Sequence, residues 1–132
     1  MTPRGRSVDV SVLTAVRNEE AVISETAVAI TSQQFEGTVE FLFLDGDSDD
    51  RTRAILEDLS RADDRIRVLH NRARDQASGL NLGLRNARGE FVAQMDAHTH
   101  YPAEYIARGV ERLRRGDVEW VTGPQIPHGT ER

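Results

Sequence analysis

Apolar positions along this chain switch between two spacings. Val8, Val10, Val12 and Leu13 sit in a loosely alternating, β-branched run from Val8 to Val16, which predicts a buried strand. Asn18-Glu19-Glu20 then predicts a helix start, because acidic side chains suit the positive end of a helix. Val22, Ile23, Ala27 and Ile30 follow at helical spacing. The run Val39-Glu40-Phe41-Leu42-Phe43-Leu44 is nearly all apolar, as a strand covered on both faces must be. A second helix carries Ile55, Leu56 and Leu59, and Ile66-Arg67-Val68-Leu69 reads as a short third strand. Ala77, Leu80, Leu84 and Ala87 make the stripe of a third helix closed by Gly89. A fourth strand spans Phe91 to Met95, and a helix with Ile106, Val110 and Leu113 begins near Pro102. Val118-Glu119-Trp120-Val121 predicts a fifth strand, with irregular chain from Gly123.

Strand–helix repeated four times, then a strand, implies an α/β fold. The expected architecture is a mostly parallel sheet of about five strands with right-handed crossovers and helices on both faces. We expect a short flexible lead at residues 1–7, one domain at 8–126 and an irregular tail at 127–132. Every polar cluster falls where a strand ends and a helix begins. In a parallel sheet those ends share one edge, so separate loops converge on one site.

Composition narrows the chemistry. The net charge of −5 argues against a nucleic-acid surface, which must neutralise phosphates. Cysteine is absent, which removes disulfides, thiolate metal sites and thiol nucleophiles and suits a cytoplasmic protein. All 17 basic residues are arginines, so a Walker-type phosphate loop and Schiff-base chemistry are excluded. No apolar run is long enough to cross a bilayer, so no membrane segment is expected in this chain.

The stretch Gln94-Met95-Asp96-Ala97-His98-Thr99-His100-Tyr101-Pro102 places a carboxylate and two imidazoles within five residues beyond a strand end. Such groups ligate metals. The plainer reading is a polar loop whose Asp and Thr satisfy the next helix's N–H groups. Asp-x-His-x-His also starts hydrolase barrels. A metal-dependent hydrolase is therefore a remote alternative, disfavoured by length: 32 residues follow His100, against roughly 200 in the rest of a barrel.

Asp45, Asp47 and Asp49 alternate like calcium-loop ligands, yet Asp50 and Leu56 stand where such a loop needs glycine and glutamate. Ser48 or Asp49 serves better as a helix cap. Asp45, last in its strand and pointing out of the edge, is free to accept a hydrogen bond from a ribose or base. Arg72 and Arg74 offer a diphosphate clamp.

These residues resemble a known family. Val10 to Glu20 is similar to the opening strand and loop of family 2 glycosyltransferases. Phe43 to Thr52 resembles their Val-Asp-Asp-Gly-Ser-x-Asp-x-Thr segment. Gly79 to Gly83 and Ala87 to Phe91 match their Asn-x-Gly…Ala-x-Gly-Glu/Asp-Tyr/Phe run. Met95-Asp96-Ala97-His98 falls at their Asp-x-Asp metal motif, and exopolysaccharide-type bacterial members often continue Asp-Ala-His-x-x-Tyr-Pro.

The resemblance implies a Rossmann-like GT-A fold, a nucleotide-diphosphate sugar donor and a divalent cation. It implies inverting sugar transfer in polysaccharide or cell-envelope glycan synthesis. The expected nucleotide-sugar set is Ala15, Arg17, Glu19, Asp45, Asp47, Arg72, Arg74, Gln76 and Asp96, and the metal set is Asp96 and His98. Ala15 replaces the usual proline. His98 replaces a carboxylate, which favours Mn2+ over Mg2+ because imidazole is the softer ligand.

The chain stops before the acid that serves as general base. We therefore expect a donor-binding part, inactive alone, whose glycan or lipid-linked acceptor binds a C-terminal part beyond it. The whole protein would work in the cytoplasm or at the cytoplasmic face of the membrane. A non-catalytic nucleotide-binding module is the alternative.

Overall fold

A computed structural model describes residues 7–116 and 126–127. The elements run β1 (Val8–Val16), α1 (Ile23–Thr31), β2 (Val39–Asp45), α2 (Thr52–Ala62), β3 (Ile66–His70), α3 (Gln76–Asn86) and β4 (Gly89–Gln94). After them come β5 (Thr99–His100), α4 (Tyr105–Arg114) and β6 (Ile126–Pro127). Strands β3-β2-β1-β4 form one parallel sheet in that order, and β5 pairs antiparallel with β6. The expected α/β architecture is present, with four parallel strands. The fifth strand expected at Val118–Val121 lies outside the described residues.

Crossover handedness places the helices. A right-handed crossover puts its helix on one face when the chain steps one way and on the other when it steps back. From β1 to β3 the chain steps one way, so α1 and α2 share a face. Their Ile23, Ala27, Ile30 and Leu56 pack with Val10, Val12, Val16, Phe41 and Phe43, joined by Ile106 and Val110 of α4. The return from β3 to β4 puts α3 on the opposite face, where Leu80 meets Leu13, Leu42 and Leu44. Phe41, Leu42, Phe43 and Leu44 are at most 1% exposed. At about 1.5–3 kcal/mol for each such side chain, β2 is the energetic centre of the sheet.

Among the described residues one buried side-chain polar atom has no hydrogen-bond partner: the Thr14 hydroxyl, in a residue only 1% exposed. It costs desolvation and gains nothing, so Thr14→Val is expected to be neutral or stabilising by about 1 kcal/mol. A urea titration checks this, and a clear loss of stability would mean that the hydroxyl has a bound water.

At the amino ends of the strands lies a buried carboxylate. Glu40 accepts from the Ser11 hydroxyl at 2.6 Å, the Arg88 N–H at 2.8 Å and Arg67 at 2.9 Å. Arg67 also donates to Asn86 O, at the end of α3. Burial works to raise the Glu40 pKa, but these donors together hold it below the ordinary glutamate range.

Several expected boundaries move. α1 begins at Ile23 rather than at Asn18-Glu19-Glu20, whose N–H groups are taken by side chains of the next loop. α2 is not capped by Ser48 or Asp49: the Asp50 carboxylate accepts from Thr52 N–H at 2.9 Å instead. Gly89 does not close α3; it opens β4, because its backbone packs directly on Ser11. α4 begins at Tyr105, after Thr99–His100 has paired as β5.

Candidate functional site

The loops after β1, β2, β3 and β4 all leave the same sheet edge. The strand order reverses between β1 and β4, which opens a crevice of the kind where α/β sheets bind ligands.

The first two loops are laced together. Asn18 N–H donates to Ser48 Oγ at 2.9 Å, and Asp49 N–H donates to Asn18 Oδ1 at 2.7 Å. Glu19 N–H donates to Thr52 Oγ1 at 2.7 Å, and Glu20 N–H to Asp50 Oδ2 at 3.2 Å. Asn18 has φ 52°, a left-handed conformation that asparagine tolerates. Arg17 is drawn into the lacing: its Nε donates to Gly46 O at 3.0 Å and its outer nitrogen lies 3.3 Å from Asp49.

Asp45 does not point out of the edge. It is fully buried, and its carboxylate accepts from the Ser48 hydroxyl at 2.6 Å and the Ser48 N–H at 3.3 Å. A short turn brings Ser48 back over the strand end and covers it. Asp47, at φ 56°, meets His70 Nε2 at 2.9 Å through one oxygen and Arg74 through the other, at 2.9 and 3.0 Å. Hydrogen bonds from His70 and then Arg74 hold its pKa below the ordinary aspartate range. Arg74 is thus engaged with Asp47 rather than standing beside Arg72 as a clamp. Arg72 and Gln76, the first residue of α3, are exposed at the rim.

Beyond β4, Asp96 and His98 are exposed, and His98 Nε2 lies 2.6 Å from the Glu19 carboxylate across the crevice. Asp96 N–H donates to the Tyr101 hydroxyl at 2.6 Å, and Asp96 Oδ1 accepts from His98 N–H at 3.3 Å. Among the described residues no three His, Asp or Glu side chains converge on one point. One carboxylate and one imidazole still suit a cation that completes its shell with phosphate oxygens and water. The donor set therefore fits a divalent ion.

The structure brings together Arg17, Glu19, Asp45, Asp47, Arg74, Asp96 and His98, with half-buried Ala15 beneath the first loop. Sequence reasoning missed Asn18, Ser48, Asp50 and Tyr101 as the residues that shape these loops. Their signal was the motif itself, since each falls inside a stretch quoted for the resemblance.

The architecture and the edge site define a GT-A type domain. Residues 11–132 match the family model described as glycosyl transferase family 2, and the chain belongs to that family. It is 33% identical over 115 residues to a beta-monoglucosyldiacylglycerol synthase of Trichormus variabilis, covering 83% of this chain and 24% of the relative. The mannosyltransferase PcManGT from Pyrobaculum calidifontis, solved with GDP-Man and Mn2+, superposes with a TM-score of 0.71 at 25% identity. That match covers 85% of this chain and 36% of that one. S. aureus TarS 1-349, solved with UDP, shares the fold with a TM-score of 0.68 at 24% identity over 82% of this chain and 32% of its own. The chain spans between about a quarter and a third of the length of its first curated relatives, at 24% and 33%. Among the described residues no helix is long and apolar enough to cross a membrane.

Proposed function

We propose that this domain binds the nucleoside diphosphate of a sugar donor, with a divalent cation, for inverting transfer in polysaccharide or cell-envelope glycan synthesis. The observation that carries the reading is the Glu19–His98 contact at 2.6 Å, which joins the first and fourth loops across the crevice. Support comes from the family match and from PcManGT, which was solved with GDP-Man and Mn2+.

In this reading Ala15, Arg17 and the laced loops form the nucleoside subsite. Asp45 shapes that subsite from beneath by fixing the turn at Ser48. Arg72 and Gln76 face the diphosphate from the rim, while Asp47 orients Arg74. Asp96 and His98 hold the cation, and Glu19 sets the His98 ring. When bound, the cation neutralises charge on the leaving nucleoside diphosphate. The acceptor site and the base that deprotonates the acceptor hydroxyl are assigned to the further length that the relatives have. The whole protein is placed in the cytoplasm or at the cytoplasmic face of the membrane.

Calorimetric titration of the full chain with UDP and GDP, in Mn2+, Mg2+ or chelator, tests the reading. Metal-dependent binding should be stronger with Mn2+, and Asp96→Asn should weaken it by about tenfold or more. His98→Asp should bring Mg2+ level with Mn2+. Equal binding in both metals and in all variants would overturn the assignment.

A further inference from the structure

The turn from Asp96 to Tyr101 is held from inside by one hydroxyl. Tyr101 Oη accepts the Asp96 N–H at 2.6 Å, which draws the two ends of the turn together. Thr99 N–H donates back to Asp96 O at 3.4 Å, and Thr99–His100 is pinned from outside by pairing with Ile126–Pro127. The Tyr101 ring packs against the core and lies 4.6 Å from the ring of Tyr105.

The far end of the turn is gripped by a residue distant in sequence. The Gln33 amide donates to Pro102 O at 2.7 Å and accepts the Ile106 N–H at 2.9 Å. Gln34 N–H donates to Ala103 O at 2.8 Å. An N–H in the first turn of a helix has no partner within the helix, and α4 has no side-chain cap from its own N-cap residue. Gln33 supplies one from the segment just after α1. Helix α4, Pro102 and Tyr101 are thereby tied to the body of the domain.

We propose that Tyr101 is a positioning residue for the cation: its hydroxyl holds the Asp96 backbone, and so the direction of the Asp96 carboxylate, while Gln33 anchors the turn. This rests on the reading that Asp96 holds the cation. An outer partner that orients a ligand typically changes metal affinity by about tenfold or more when it is lost.

Tyr101→Phe keeps the ring and removes the hydroxyl. In the full chain, Mn2+ is titrated in the presence of UDP or GDP and followed by its paramagnetic resonance signal. Nucleotide affinity in chelator and the melting temperature are measured beside it. The expected result is an about tenfold loss of Mn2+ affinity, with metal-free nucleotide affinity and melting temperature unchanged. Gln33→Ala should weaken Mn2+ in the same direction.

Unchanged Mn2+ affinity in Tyr101→Phe, with loss in Asp96→Asn, would overturn the positioning role and leave the functional reading standing. Unchanged Mn2+ affinity in Asp96→Asn, or no binding of either nucleotide, would remove the functional reading and this proposal with it. An equal fall in metal-free binding and melting temperature would show a structural role only.

Discussion

Glu40→Ala is expected to destabilise the fold by about 3 kcal/mol. The substitution strands three donors that now point at one carboxylate: the Ser11 hydroxyl, the Arg88 N–H and the Arg67 guanidinium. Breaking a buried ion pair from one side costs about 3–5 kcal/mol. The Arg67 side chain is 23% exposed, so solvent relieves part of its loss and the lower end applies. Urea denaturation of wild type and variant measures the difference. A loss below about 1 kcal/mol, the size of a surface pair, would show that the cluster contributes no more than exposed charges do.

The same carboxylate makes stability depend on pH. Glu40 has a lower pKa folded than its ordinary 4.5, so the folded chain binds that proton less readily than the unfolded one. Its contribution is complete above the ordinary value and is lost as pH falls through the folded value. Glu40→Gln should therefore differ most from wild type near neutral pH and converge with it in acid. Asp47, Asp63 and Asp75, also held low by hydrogen bonds, remain in both proteins, so neither curve becomes flat. A gap that stays constant with pH would remove Glu40 as the source.

Gly89→Ala is expected to cost about 3 kcal/mol, the upper end for overpacking. A Cβ at Gly89 would stand 2.5 Å from Ser11 N and 2.8 Å from both Phe91 O and Ser11 Oγ. Two of those atoms are backbone in paired strands and cannot turn aside. The Gly89 N–H also donates to Ser11 Oγ at 2.8 Å, so displacement disturbs the Glu40 cluster as well. Gly116→Ala is the control. Among the described residues nothing lies within 4 Å of a Cβ there, but φ is 78°, so it should show only the left-handed penalty of about 1–2 kcal/mol. If the two variants melt alike, close approach at Gly89 is not what excludes a side chain there.

Much of the candidate site was legible because motif and topology agree on which loops meet. Arg17, Glu19, Asp47, Arg74, Asp96 and His98 follow strand ends, and parallel strands bring those ends to one edge. What the pattern could not show was which polar side chain answers which. Asp45 reads as a free acceptor at a strand end, whereas the turn folds Ser48 back over it. Arg72 and Arg74 look equivalent in sequence, yet among the described residues it is Arg74 that pairs with a carboxylate, that of Asp47, which adopts a left-handed conformation beside it.

Residues with two uses caused two of the shifted boundaries. Asn18, Glu19 and Glu20 have the composition of a helix start. Their N–H groups are satisfied by Ser48, Thr52 and Asp50, some thirty residues on, so the helix waits until Ile23. Likewise Pro102 suits a first helical turn, but Gln33 takes its carbonyl and the N–H of Ile106, and α4 starts at Tyr105.

The sequence by itself determined the class of fold, the order of elements and the edge on which the loops meet. Period and composition are local properties, and a parallel α/β arrangement follows from them with few alternatives. Only the tertiary structure decided that α3 packs on the face opposite α1 and α2, that Glu40 gathers β1, β3 and the start of β4, and that Gln33 and Tyr101 hold the Asp96 turn. Those contacts join residues far apart along the chain. Their geometry depends on how strands register and helices settle, which no local pattern encodes.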